Sequence, residues 1–79
     1  MNQSEFLKAV SEALEVDQSL VNMELKLGDI AEWDSLGHLT ILSNIDALTN
    51  EKASEIENFG SLGSLIEIWT ALLDAKLAS

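Results

Sequence analysis

The chain has no cysteine, no proline and no arginine, and its only cations are four lysines. Without cysteine there is neither a disulfide nor a thiolate metal centre to supplement the core. The one histidine, His38, cannot build a zinc site by itself, and no metal is expected. No stretch approaches the roughly 20 consecutive apolar residues that a membrane helix requires. The opening Met1-Asn2-Gln3-Ser4-Glu5 has neither a basic nor an apolar leader segment. A cytoplasmic setting is expected, and the missing cysteine fits a reducing compartment.

Positive charge is the other scarcity. Fourteen Asp and Glu face four Lys, for a net charge of −10. Such a surface repels nucleic acid phosphates and anionic lipid, so neither is an expected partner. It favours basic protein surfaces and steers encounter with them. A monomer is expected.

What is present suits one small domain spanning residues 1–79, with 47% of residues hydrophobic. A chain of this size buries only about 60% of its unfolded surface, so the core must be compact. The spacing predicts helices and no sheet. A first helix should run from Gln3 to Glu15, capped by Asn2 with Glu5 at the capping-box position. Phe6, Leu7, Val10, Ala13 and Leu14 share one face of it. Residues 16–34 hold neither period for long. A loop with a helical turn near Ser19–Met23 is expected there, pinned by Leu20, Leu27 and Ile30. A loop of that length is uncommon without a function.

A second helix should run from Ser35 to Leu48 or Thr49, capped by Asp34 or Ser35. Leu36, Leu39, Leu42, Ile45 and Leu48 recur at steps of three, a series that drifts around a helix. With Ile41 added the apolar arc is wide, so this helix should meet several neighbours. Ser54 is placed to cap a short helix, Glu55 to Phe59, ended by Gly60. Ser61 or Ser64 then caps a last helix over Leu62–Leu77. The fold class expected is an all-α bundle of three longer helices and one short one.

The stretch Glu32-Trp33-Asp34-Ser35-Leu36-Gly37-His38-Leu39 stands where the loop becomes the second helix. Four readings of Ser35 compete. It is an N-cap and nothing more. Or Asp34, Ser35 and His38 form a hydrolytic triad; but adjacent Asp34 reaches the far nitrogen of His38 only awkwardly, and no Gly-rich turn supplies oxyanion donors. Or Ser35 bears a phosphate-linked group, which the free N–H groups and positive dipole end of a helix start favour. Or the domain is an unmodified acidic interaction module, docking on a basic partner. Composition leaves the last two open. Trp33 reads as a loop anchor and His38 as an exposed or half-buried helix residue.

Asp34-Ser35-Leu36 resembles the attachment motif of the acyl carrier protein family. Leu27, Ile30 and Trp33 through Leu39 resemble the approach to, and start of, the second helix in bacterial carriers. Phe59-Gly60-Ser61-Leu62-Gly63-Ser64-Leu65-Ile66 resembles the lead-in to the family's last helix. The resemblance covers essentially the whole chain. It implies an acyl-carrier-protein-like fold and a protein that catalyses nothing itself. A phosphopantetheinyl transferase would attach 4′-phosphopantetheine from coenzyme A to Ser35, and the arm's thiol would carry an acyl or aminoacyl thioester between loading and transfer enzymes with basic surfaces. Asp34 and Leu36 would contact those partners. The second helix carries Gly37, His38, Thr40 and Ser43 where many fatty-acid carriers are acidic. A dedicated carrier of a specialised pathway is therefore the expectation.

Overall fold

The computed structural model describes residues 1–79. Three α-helices form: α1 over Gln3–Leu14, α2 over Ser35–Leu48 and α3 over Leu65–Asp74. Short 3-10 turns occupy Gln18–Leu20, Ala53–Glu55 and Phe59–Ser61. There is no strand, only one isolated antiparallel bridge between Lys26 and Ser64. None of the helices is long and apolar enough to cross a membrane.

α1 begins at the capping box its sequence predicts. The Glu5 N–H donates to the Asn2 side chain at 2.8 Å, and the Asn2 N–H donates to the Glu5 carboxylate at 2.9 Å. Phe6, Ala9, Val10, Ala13 and Leu14 are buried. Phe6 meets Trp69 of α3 with ring centroids 5.2 Å apart, which ties the first and last helices together. α1 also packs against α2, whose inner face is His38, Ile41 and Ile45. One contiguous core results, built on Phe6, Trp33, Ile41, Ile45, Leu65 and Leu72.

The end of α1 is a Schellman motif. The Glu15 N–H bonds the Glu12 carbonyl at 3.3 Å and the Val16 N–H bonds the Ser11 carbonyl at 3.1 Å. Glu15 itself is left-handed, at φ 57° and ψ 43°. Glycine adopts that conformation without penalty, whereas an L-residue loses about 1–2 kcal/mol there. The carboxylate also stands at the negative end of the helix dipole. Glu15→Gly is therefore expected to gain about 1 kcal/mol, raising Tm by roughly 4–8 °C for a domain of this size. A thermal melt of the variant that coincided with wild type would refute this account of the turn.

The loop to α2 is held differently from the expectation. Leu20 and Leu27 are exposed and Ile30 is half-buried, while Val21 and Leu25 are buried. The reason is a turn. The Leu25 N–H bonds the Asn22 carbonyl at 3.1 Å and the Glu24 N–H bonds the Asn22 side chain at 2.9 Å, so Val21 before the turn and Leu25 after it reach the core, with Met23 half-buried between them. The segment is fastened to the approach to α3: the Leu65 N–H bonds the Leu25 carbonyl at 3.1 Å, and the Leu27 N–H bonds the Gly63 carbonyl at 2.9 Å. Asp17 caps the turn before it, and the Ser19 N–H and hydroxyl hold its carboxyl below the ordinary aspartate range.

The short helix expected over Glu55–Phe59 does not form. Ile56 is extended and Asn58 is left-handed at φ 62°, so two separate 3-10 turns stand in its place. Ser54 does not cap; its N–H donates to the Asp46 carboxylate at 2.9 Å and its hydroxyl to the Glu51 carbonyl at 3.1 Å. Phe59 is nonetheless buried and Ile56 half-buried against the core. α3 is shorter than its apolar pattern. Ser64, not Ser61, caps it. It stops at Asp74 because Lys76 turns left-handed and Leu77 bonds back to the Leu72 carbonyl at 2.9 Å.

Candidate functional site

α2 starts at Ser35, where the sequence places it. Asp34 supplies the cap: its carboxylate accepts from the Gly37 N–H at 2.9 Å, and its carbonyl accepts from the His38 N–H at 2.8 Å. Since Asp34 does the capping, the Ser35 hydroxyl is outside the cap. Asp34, Ser35 and Leu36 are all exposed, and Leu36 is the most exposed large apolar side chain at 73%. The three thus form one surface at the helix start.

The rest of the stretch is anchored inward. Trp33 is completely buried. Its backbone is fixed as well, with its N–H bonded to the Ile30 carbonyl at 3.1 Å and its carbonyl accepting from Gly28 at 3.0 Å. Gly28 takes φ +93°, which closes this turn. Trp33 as a loop anchor is what the sequence predicts. His38 departs from its expectation: it is buried, not exposed or half-buried. The indole N–H of Trp33 donates to His38 Nδ1 at 3.1 Å, and His38 Nε2 lies 3.2 Å from the Gly60 carbonyl. The two rings lie nearly parallel, with an interplanar angle of 23°.

These contacts fix the tautomer. An indole nitrogen only donates, so Nδ1 must present its lone pair; a carbonyl only accepts, so Nε2 must carry the proton. Both ring nitrogens are then engaged. His38 has none left to activate Ser35, and Asp34 is turned to its own helix. The triad arrangement of Asp34, Ser35 and His38 is not assembled in this geometry.

Gly37 explains how the start of α2 comes so close to its surroundings. A Cβ there would collide with the Glu32 carbonyl oxygen and stand 2.9 Å from Leu14 Cδ2. Beyond it the outer face of α2 bears no charge until Asp46, although the whole chain carries −10. Leu39 on that face is 63% exposed. Of the wide apolar arc, then, Ile41 and Ile45 serve the core, Leu42 is intermediate, and Leu36, Leu39 and Leu48 face water. Beside α2 lies an open cleft of about 440 Å³ whose walls include Leu42, Ser43, Asp46, Ile56, Asn58 and Phe59.

The sequence singles out Asp34, Ser35 and Leu36, which the structure brings together on the surface, but it does not show the Trp33–His38–Gly60 connection. No periodicity links a loop residue to a helical one five positions later. The available signal was a lone glycine, Gly37, inside an otherwise helical pattern, which marks a close approach of backbones. No protein-family model, no curated protein and no solved structure matches the chain.

Proposed function

We propose that this protein is a carrier of the acyl-carrier-protein type, bearing 4′-phosphopantetheine on Ser35. The observation that carries the reading is the exposed Ser35 hydroxyl in the first turn of a 14-residue helix, released from capping by Asp34 and presented on a segment anchored by Trp33. Free N–H groups and the dipole at a helix start favour a phosphodiester oxygen at that position. In the transfer, Ser35 Oγ attacks the pantetheine-bearing phosphorus of coenzyme A. A phosphorus–oxygen bond forms to Ser35, the one to adenosine 3′,5′-bisphosphate breaks, and a base of the transferase takes the hydroxyl proton. The attached arm brings a thiol to a chain that has no cysteine, and that thiol holds the cargo as a thioester. Asp34 and Leu36 flank the attachment point as contacts for the transferase and for loading and transfer enzymes, whose basic surfaces suit the acidic protein. Three helices with 3-10 turns before the last accord with a carrier fold.

Intact mass spectrometry after incubation with coenzyme A, magnesium and a broad-specificity phosphopantetheinyl transferase tests the reading. One added phosphopantetheine is expected on wild type and none on Ser35→Ala. Because Asp34 is the cap, Ser35→Ala should change stability by no more than about 0.5 kcal/mol, so loss of labelling would not reflect loss of fold. An unchanged wild-type mass would leave the alternative reading, an unmodified acidic interaction module.

A further inference from the structure

We propose that Trp33 and His38 close the interior of the bundle beneath Ser35, so that the cargo is a short acyl group, aminoacyl groups included, carried outside the protein. This rests on the carrier reading of Ser35 and adds the class of cargo to it. Three observations support it.

The space below the attachment point is filled. Trp33, two residues before Ser35, has no exposed surface, and neither have Ile41 and Ile45 on α2 or Leu65 at the start of α3. The filling is also bonded. The hydrogen-bonded run from Trp33 through His38 to Gly60 crosses the seam between the first turn of α2 and the segment leading to α3. A hydrocarbon tail entering there must part both bonds. It would leave an indole N–H and an imidazole without partners, and a saturated chain offers them none.

The available room is on the outside. The cleft lined by Leu42, Ile56 and Phe59 also presents Ser43, Asp46 and Asn58, and it opens to solvent. Leu42 and Ser43 are seven and eight residues along α2 from Ser35, roughly 10–12 Å at the helical rise. A short or amino-bearing group can rest against such a wall; a long alkyl chain would remain largely in water there.

The test uses a transferase that accepts acyl-coenzyme A thioesters, with acetyl- and octanoyl-coenzyme A as donors. The two loaded wild-type proteins should melt at the same temperature, with coincident methyl resonances for Ile41, Ile45 and Leu65. An octanoyl form that melts several degrees above the acetyl form, with those methyls shifted, overturns the inference. Trp33→Leu, which keeps an apolar side chain but opens space, should let octanoyl raise Tm by several degrees over acetyl. If neither wild type nor Trp33→Leu responds to chain length, Trp33 is not what closes the interior. A wild type that takes up no arm from either donor, nor from coenzyme A itself, overturns the carrier reading, and the cargo class falls with it.

Discussion

Trp33→Ala should lose about 3–5 kcal/mol of stability, the usual cost of truncating a buried large aromatic. A domain of 79 residues has only roughly 4–12 kcal/mol in total, so the variant should lose a large part of that margin and, at the low end of the range, unfold at room temperature. The cost has two parts. One is the void left where a completely buried indole fills the angle between loop and helix. The other is His38 Nδ1, which loses its donor while staying inside.

Trp33→Phe separates them. Phenylalanine keeps most of the ring volume but has no N–H, so the loss should be about 1–3 kcal/mol, the range for an unsatisfied buried acceptor. Removing both partners with Trp33→Phe and His38→Leu should cost less than the sum of the single changes, because no orphaned nitrogen remains in the indole's site. Urea unfolding of the four proteins measures this directly. Strictly additive losses would mean that the 3.1 Å contact contributes nothing beyond packing.

The parts of the fold legible in the sequence are those decided by chemistry a few residues apart. Asn2 with Glu5 and Asp34 with Gly37 are caps written within one turn, and they set the starts of α1 and α2 correctly. Ser64 with Glu67 is such a pair for α3, but Ser61 satisfies the local rule as well, and the start expected at Leu62 lies three residues before the observed one at Leu65. Helix ends are set by backbone turns that no residue type marks. Glu15, Asn58 and Lys76 are left-handed residues that are not glycine, so no residue type announced where α1 and α3 stop or why the short helix fails. In the loop from Val16 to Asp34, Val21-Asn22-Met23-Glu24-Leu25 alternates apolar and polar as a strand would, yet it folds into a turn closed on the Asn22 carbonyl and side chain. Its register depends on the bonds to Gly63 and Leu65, about forty residues further on, which no local pattern contains. The candidate site divides the same way. Ser35 at the helix start is a local fact. So is the Asp34 cap on Gly37, three residues away, which leaves the Ser35 hydroxyl outside the cap. That His38 is committed to Trp33 and Gly60 is a fact of three dimensions.

Gly37→Ala gives the sharpest reversal of a local rule. Within a helix, alanine is ordinarily more stable than glycine by about 0.5–1 kcal/mol, because glycine loses more backbone freedom on folding. Here the opposite sign is expected, with a loss of about 1–3 kcal/mol. The added methyl would run into the Glu32 carbonyl oxygen and press on Leu14 Cδ2. The leucine tip can rotate, but the carbonyl belongs to the backbone immediately before Trp33 and cannot move alone. Displacing it strains the Trp33 amide bond to Ile30 and the Trp33 carbonyl bond to Gly28, which hold the loop. The damage should therefore reach the attachment point. Urea unfolding should show reduced stability, and amide spectra should shift from Gly28 through His38 while the α3 resonances keep their positions. Transfer from coenzyme A to Ser35 should slow under conditions where the variant is still folded. A Gly37→Ala protein more stable than wild type would show that Glu32 and α2 are not in close contact, and would detach Ser35 from the anchored loop that presents it.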